Sequence, residues 1–290
     1  VMTPVKNQKN YGTCWAFATV GIMEACYYMR HYDFVDLSEQ DLINCHCRKC
    51  DGTSPKQYDE KLSAGLSTEA STPYKGDGGK PPCKSENCGP CQLDTQTPYR
   101  LLCYTRVNAA FMSAHPHEPI PVAQIKAALV EHGPLNATMH IPEGSAFGSV
   151  KGTQVFTESI PLVYEPKRNS SGHIIIIVGW DDNKHAWLIK NSWGTGWGDN
   201  GYGWITYGSN NIGMGAAWYL MAAPDFHLTA VWRQASGEEI QVYGWTYEQY
   251  RMKYDEIWPQ GWRLHLLKNT VEKGQVLYSA VWRKSTVEEY

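Results

Sequence analysis

The sequence lacks three features that would place it in other classes of protein. Its 26 basic and 29 acidic side chains give a formal net charge of −3. It therefore has no excess of basic residues that could bind nucleic acid or an anionic membrane surface electrostatically. It has no long block of like charge, and its hydrophobic fraction of 42% excludes a disordered chain. Its apolar runs, such as residues 174–178, fall far short of the roughly 20 residues that a membrane-spanning helix needs. We therefore expect a folded protein with no nucleic-acid partner and no membrane span, in which residues 174–178 form a buried strand.

The nine cysteines are distributed unevenly. Six of them lie in two short loop-like clusters: Cys45, Cys47, Cys50, Cys83, Cys88 and Cys91. Each cluster contains a C-x-x-C pair, and two such pairs can hold a tetrahedral zinc ion through four thiolates, here Cys47, Cys50, Cys88 and Cys91. The alternative is a set of disulfides in an oxidising compartment, which the Gly- and Pro-rich loops around the cysteines favour. An odd number of cysteines leaves at least one thiol outside any disulfide.

The spacing of apolar residues predicts a chain that is helix-rich first and strand-rich second. A largely buried helix is expected over residues 14–30, with Cys14 at its N-terminus, and a short one over residues 37–43, with Ser38 as its N-cap. A third helix is expected over residues 122–131, and five strands are expected between residues 135 and 221. This order predicts two subdomains of different class with a cleft between them.

The composition changes after residue 223. Residues 224–290 contain 12 of the 36 aromatic side chains, and the segment 228–233 returns as 278–283 at an offset of 50 residues. A repeat of that length is typical of modular arrays. We therefore predict a first domain over 1–223 and a C-terminal repeat module over 224–290, with one full unit and the start of a second.

Four residues have the composition that nucleophilic thiol catalysis requires. Cys14 at a helix N-terminus is placed where backbone amides and the helix dipole favour a thiolate. His173 can take the thiol proton, and Asn191 can orient the imidazole. Gln8 can supply a side-chain amide to an oxyanion hole beside the backbone N–H of Cys14.

The segments around these residues resemble those of papain-family cysteine peptidases. Residues 8–17 are similar to the nucleophile segment, 172–180 to the histidine segment and 191–202 to the asparagine segment, and 37–42 resembles the start of the family's second helix. The resemblance covers about residues 1–223. It implies an α+β, papain-like fold with a helical left subdomain and a β-barrel-like right subdomain, followed here by the small aromatic-rich C-terminal module.

The resemblance also implies a function and a set of site residues. The protein is expected to be a cysteine endopeptidase that uses Cys14, His173, Asn191 and Gln8, forms a thioester acyl-enzyme with polypeptide substrates and needs no cofactor. The candidate substrate-binding residues are Gly52, Gly172, Trp193, Ala216 and Ala217. Either alanine is expected at the floor of the pocket for the residue two positions before the cut, where a small, uncharged floor predicts a preference for a bulky apolar side chain.

Further expectations concern processing and the rest of the chain. The family implies a Cys45–Cys83 disulfide, whereas Tyr11 replaces the family's first cysteine and leaves the remaining pairings open. It also implies a longer, secreted or extracytoplasmic zymogen with an inhibitory pro-segment. The C-terminal module resembles a tandem repeat of secreted microbial hydrolases and can contact a surface or a glycan. The alternative functions are a transpeptidase or amide ligase that uses the same site, and a non-catalytic glycan-binding adhesion protein.

Overall fold

The chain forms two compact units, Val1–Ala223 and Pro224–Tyr290. The computed structural model describes residues 2–31, 33–45, 59–79, 82, 88–93, 97, 99–158, 171–221, 239–272 and 275–284. The boundary between the units coincides with the change in composition noted in the sequence.

The helices of the first unit lie mainly in its N-terminal half. In chain order the described residues give α1 (Cys14–His31), α2 (Glu39–Asn44), α3 (Asp59–Ala64), α4 (Ala109–Ala114) and α5 (Val122–His132). Ser38 caps α2, as expected, by accepting a hydrogen bond from the Asp41 amide at 2.9 Å. Gly133 ends α5 with a φ of 84°, a conformation that glycine adopts at no steric cost. Across the described ranges, no helix is long and apolar enough to cross a membrane.

Seven strands of the first unit form one sheet. They are β1 (Leu101–Arg106), β2 (Leu135–Ile141), β3 (Val155–Phe156), β4 (Ser171–Asp181), β5 (Ala186–Lys190), β6 (Tyr202–Thr206) and β7 (Met214–Met221). Their order is β1-β7-β2-β4-β5-β6-β3. All neighbours are antiparallel except β3 and β6, which run parallel.

Strand β4 carries apolar side chains on both faces, which explains its uninterrupted apolar run. Ile174 and Ile176 pack in a cluster that includes Trp15 of α1. Ile175 and Ile177 pack in a second cluster on the opposite face of the sheet. Because successive strand residues point to opposite faces, one strand joins the two cores. Helix α1 therefore lies against the strand that carries His173.

One expected disulfide is wrong, and the zinc alternative to disulfides is excluded. Cys45 forms a disulfide with Cys91, at a Cα–Cα distance of 4.4 Å, and not with Cys83. The four-thiolate zinc set is also excluded, because Cys91 is in that disulfide and Cys88 is disulfide-bonded as well, so neither sulfur is a thiolate ligand. The sequence pattern could not discriminate among the pairings, because six clustered cysteines allow many connectivities. Cys47, Cys50 and Cys83 lie outside the described residues.

Residues 239–272 and 275–284, the described part of the second unit, form a three-stranded antiparallel sheet with one helix. It contains β8 (Glu239–Trp245), α6 (Tyr247–Ile257), β9 (Trp262–Glu272) and β10 (Gln275–Lys284), in the sheet order β8-β10-β9. The ring of Tyr250 on α6 stacks on Tyr278 and Trp282 of β10, at centroid distances of 5.6 and 5.7 Å. Trp282 is fully buried. Tyr250, Tyr278 and Trp282 thus form the core of the described part of this unit. The other copy of the repeated segment, 228–233, lies outside the described residues.

Candidate active site

Cys14 is the first residue of α1 and is buried, with 5% of its surface exposed. It takes part in no disulfide. Burial raises the pKa of its thiol, while backbone amides of Ile174, Trp15 and Cys14 itself bond to the sulfur and lower the pKa in part. The amide of Ile174 belongs to β4. The sulfur of Cys14 is therefore next to the strand residue that directly follows His173.

The imidazole of His173 is held by Asn191. Nε2 of His173 lies 2.8 Å from Oδ1 of Asn191. An amide oxygen only accepts, so Nε2 carries the proton and donates, which leaves Nδ1 as the second ring nitrogen. Oδ1 of Asn191 also accepts from the Ser192 amide at 2.8 Å, which fixes the orientation of the side chain. Burial lowers the pKa of His173 to about 4, and the bond to Asn191 acts in the opposite direction.

An aromatic wall covers this histidine. The ring of Trp193 lies 4.8 Å from that of His173. Phe147 packs edge-on to Trp193 at 5.3 Å, and its carbonyl oxygen accepts a 2.8 Å hydrogen bond from Nε1 of Trp197. These rings exclude water from the His173–Asn191 bond and so strengthen it. Phe147 lies in a short 3-10 turn at residues 146–149, and no motif in the sequence pointed to it.

Gln8 is bonded to the same loop as the histidine pair. Its backbone amide donates to the Ser192 carbonyl at 2.8 Å, and its Oε1 accepts from Oγ of Ser192 at 2.6 Å. Its Nε2 donates one proton to the Tyr11 carbonyl at 2.7 Å. A primary amide has two N–H groups, so a second donor remains for a ligand. No role for Ser192 was predicted from the sequence, although its hydroxyl fixes which end of the Gln8 amide carries the donors.

The candidate substrate-binding residues divide into separate groups. Gly52 lies outside the described residues. Gly172 is exposed, and no heavy atom lies within 4 Å of where its Cβ would be, so the space beside His173 is open. Ala216 packs in the second core cluster, and Ala217 lies on the opposite face of β7. Trp193 belongs to the aromatic wall.

A buried set of charges lies behind the site. Nζ of Lys6 is 3.0 Å from carboxylate oxygens of both Glu24 on α1 and Glu39 on α2. Burial raises the pKa of Glu39 to about 8, against the attraction of Lys6. Burial also lowers the pKa of Lys190 on β5 to about 8, and its Nζ donates to the Thr3 carbonyl at 2.9 Å. Together with Asn191, the charged side chains line a cavity of about 20 Å³. Their charges therefore link α1 and α2 to β5 next to the site.

Residues 1–221 match the sequence profile described as "Papain family cysteine protease". The chain belongs to this family. It is 31% identical over 223 residues to cysteine proteinase 2 of Zea mays, covering 74% of this chain and 55% of that protein. It is also 31% identical over 205 residues to cathepsin S of Bos taurus, covering 67% and 53%. The chain spans about half the length of these curated relatives.

Solved structures show the same fold. Digestive procathepsin L 3 from the larval midgut of Tenebrio molitor superposes with a TM-score of 0.58 at 22% identity, covering 76% of this chain and 66% of that one. A structure reported for antibody cross-reactivity between the mite allergens Blo t 1 and Der p 1 gives a TM-score of 0.58 at 24% identity, covering 76% and 67%. The papain-like α+β fold predicted from the sequence is confirmed.

Proposed function

We propose that this chain is a cysteine endopeptidase that hydrolyses peptide bonds through a thioester acyl-enzyme. One observation carries the proposal. The sulfur of Cys14 lies at the backbone amide of Ile174, directly after His173, whose Nε2 is fixed by Asn191. A nucleophile, a base and the group that orients the base are thus assembled from distant parts of the chain. Membership of the papain family supports the same chemistry.

In the first half of the reaction, the sulfur of Cys14 attacks the scissile carbonyl, and Nδ1 of His173 takes the thiol proton. The negative charge that develops on the carbonyl oxygen is stabilised by the free N–H of Gln8 and the backbone N–H of Cys14, which the helix does not use. The C–N bond then breaks, and the leaving amine takes the proton from His173. The acyl group remains on Cys14 as a thioester.

In the second half, water attacks the thioester while His173 accepts one of its protons. The C–S bond breaks, the carboxylic acid is released, and the proton returns from His173 to Cys14. The aromatic wall of Trp193 and Phe147 keeps bulk water away from the His173–Asn191 bond, so that the ring holds one orientation through both halves.

We propose that the substrate is a polypeptide with a bulky apolar residue two positions before the cut. Ala217 supports this preference, because it is a small, uncharged side chain on the face of β7 that looks away from the second core cluster. Its neighbour Ala216 is fully buried within that cluster. We therefore assign the floor of the pocket to Ala217 and not to Ala216.

We further propose that the chain is secreted and derives from a longer zymogen. The Cys45–Cys91 disulfide supports an oxidising compartment. The similarity to a procathepsin structure supports a pro-segment. The protein isolated from its source would test both points. N-terminal sequencing would show whether a pro-segment has been removed, and a thiol assay would show whether the disulfide is present.

The C-terminal unit is proposed as a contact module with no part in the chemistry. Trp282 and Tyr278 are buried in its core, so among the described residues the half-buried rings, such as Trp258, are the candidates for a glycan or surface contact. Retention of the whole chain on an insoluble polysaccharide, lost in Trp258→Ala, would support a glycan contact. Nothing in the described residues favours the amide-ligase or adhesion alternatives over hydrolysis.

The proposed function is tested with Cys14→Ala, compared with Cys26→Ala as a matched control. Cys26 is a buried cysteine of the same helix whose Sγ donates to the Tyr219 carbonyl, so the control makes the same chemical change away from His173. We expect Cys14→Ala to lower peptide cleavage by at least about 10³-fold, because the covalent route is lost. The control should keep its activity, and both variants should keep the circular dichroism spectrum of the wild type. Full activity in Cys14→Ala would contradict the mechanism.

A further inference from the structure

The hydroxyl of Tyr74 joins the two ends of the segment that carries the oxyanion donors. It donates its proton to the Gln8 carbonyl at 2.9 Å. Its oxygen also lies 3.0 Å from Oγ1 of Thr13. Because the one phenolic proton is committed to Gln8, the Thr13 hydroxyl must be the donor in the second bond. Tyr74 therefore bonds the residue that supplies one donor and the residue just before Cys14, which supplies the other.

The ring of Tyr74 is itself held in place. It is 5% exposed and packs edge-on against Phe17 of α1 at 5.0 Å. Its backbone amide donates to Oε1 of Glu69 at 2.7 Å. Gly76 approaches so closely that a Cβ there would lie 2.3 Å from the ring, which only glycine permits. Burial raises the pKa of the Tyr74 hydroxyl, so the group stays protonated and able to donate.

Among the described residues, the segment from Gln8 to Cys14 is held by hydrogen bonds, including those between Gln8 and Ser192, and by an ion pair of Lys9 with Asp77 at 3.3 Å. The ion pair is solvent-exposed and therefore contributes little. Cys14 is in no disulfide, and the described disulfide lies elsewhere, between Cys45 and Cys91. Two bonds converge on the Tyr11 carbonyl, one from Nε2 of Gln8 and one from the Thr13 amide at 2.8 Å. They shape the turn but do not tie it to another element. Tyr74, which packs against α1, bonds to both ends of the segment and so connects the segment to that helix.

We propose that Tyr74 is a positioning residue that sets the separation between the Gln8 side-chain amide and the Cys14 backbone amide. This inference rests on the proposed function, because it assigns Tyr74 to the oxyanion hole of that reaction. Preorganised donors stabilise a transition state only when they are held where the charge develops, so a loosened turn lowers the rate and leaves ground-state binding intact. Tyr74 itself touches neither substrate nor reacting atoms.

The test is Tyr74→Phe, which removes one oxygen and keeps the ring. We expect kcat to fall roughly 10- to 100-fold with KM unchanged, because the change removes both hydrogen bonds of the hydroxyl and each has a net worth of roughly 3- to 10-fold. A peptide aldehyde provides the specific readout. Cys14 adds to its carbonyl: the C–S bond forms as the C=O π bond breaks, the thiol proton passes to His173, and the resulting oxyanion occupies the oxyanion hole. The affinity for the aldehyde should therefore fall by the same factor as kcat. The rate of alkylation of Cys14 by iodoacetamide, which needs no oxyanion hole, should not change.

Matched variants separate positioning from structural damage. Tyr99→Phe removes a hydroxyl from another tyrosine packed against the same core cluster and should match the wild type in every assay. Thr13→Val, which has the same shape without the donor, should reproduce part of the Tyr74→Phe loss, and Thr13→Ser should restore it.

Two results would overturn the positioning role. One is unchanged aldehyde affinity in Tyr74→Phe; the other is an equal fall in the iodoacetamide rate, which would show a general disturbance of the site. A failure of the proposed function looks different: the wild-type chain itself would cleave no peptide, or Cys14→Ala would still cleave it.

Discussion

At the scale of single residues, burial and hydrogen bonding compete for the charge state of Cys14 and His173. Burial raises the pKa of the thiol and lowers that of the imidazole to about 4, so it favours the neutral forms of both. The amides that face the sulfur and the oxygen of Asn191 oppose this effect. A thiolate–imidazolium pair therefore depends on mutual attraction and on a few well-placed bonds.

We predict that Asn191→Ala costs less activity than His173→Ala. Asn191 orients the ring through one 2.8 Å bond, whose loss corresponds to roughly 3- to 10-fold in kcat/KM. In the proposed mechanism His173 transfers the proton, and loss of a general base costs about 10²–10⁴-fold. Steady-state kinetics on one fluorogenic peptide would give both numbers. Equal losses in the two variants would refute this ranking, as would a larger loss in Asn191→Ala.

The sequence could nominate the residues whose chemistry is recognisable in a motif, and no others. Cys14 and His173 stand in motifs with a stated role. Phe147 and Tyr74 reach the site only through the fold, from positions whose neighbours in sequence carry no signal. Ser192 lies inside the asparagine segment, but its bond to Gln8 also depends on the fold. Their contribution is packing and orientation, which depend on three-dimensional contacts.

At the scale of elements, the alternation of side chains along β7 decides between two candidate pocket residues that the sequence motif could not separate. The sequence could not choose between Ala216 and Ala217 as the floor of the specificity pocket. Side chains alternate along a strand, and Ala216 lies in the second core cluster while Tyr219 lies in the first. Ala217 therefore shares the face of Tyr219, toward α1.

We predict that Ala217→Val narrows the pocket. The ratio of kcat/KM for a peptide with Phe two positions before the cut to one with Ala there should fall by about 10-fold or more, since a methylene in an apolar pocket is worth roughly 10- to 200-fold. The measurement needs two fluorogenic peptides that differ at that position alone. Ala64→Val on α3 serves as the control and should keep the wild-type ratio. An unchanged ratio in Ala217→Val would remove Ala217 from the pocket.

Local signals predicted some elements well and others poorly. Helix α2 carries its own cap at Ser38, and α5 ends at Gly133, so both could be located from the sequence. Strand β1 carries no such signal, because it is an edge strand whose partner, β7, lies more than a hundred residues further along the chain. The pairing of Cys45 with Cys91 likewise depends on which loops the fold brings together.

At the scale of the whole molecule, the buried His173 and the half-buried His132 link stability to pH. Burial lowers the pKa of both His132 and His173 to about 4. Between about pH 6.5 and 4 the unfolded chain therefore binds more protons than the folded one. Stability from these groups is complete above pH 6.5 and is lost as the pH falls toward 4.

We predict that His132→Gln flattens this dependence. His132 stacks on Trp218 at 4.1 Å, and glutamine there has no proton to gain. The slope of unfolding free energy against pH should fall by up to about 1.4 kcal/mol per pH unit, the value for one proton. Urea denaturation at a series of pH values between 7 and 4 would measure it. The same slope in variant and wild type would show that His132 titrates alike in both states.

The position of β10 has a consequence for how the second unit folds during translation. β10 is the last strand in chain order, yet it lies between β8 and β9 and pairs with both. On the ribosome the two outer strands emerge first, and β10, which is their shared ladder partner in the described part of the unit, follows only when residues 275–284 leave the exit tunnel. Until late in translation, the nascent chain should therefore expose the unpaired backbone N–H and C=O groups of β8 and β9. A chaperone, or a nascent chain on a neighbouring ribosome, can bind them during that time.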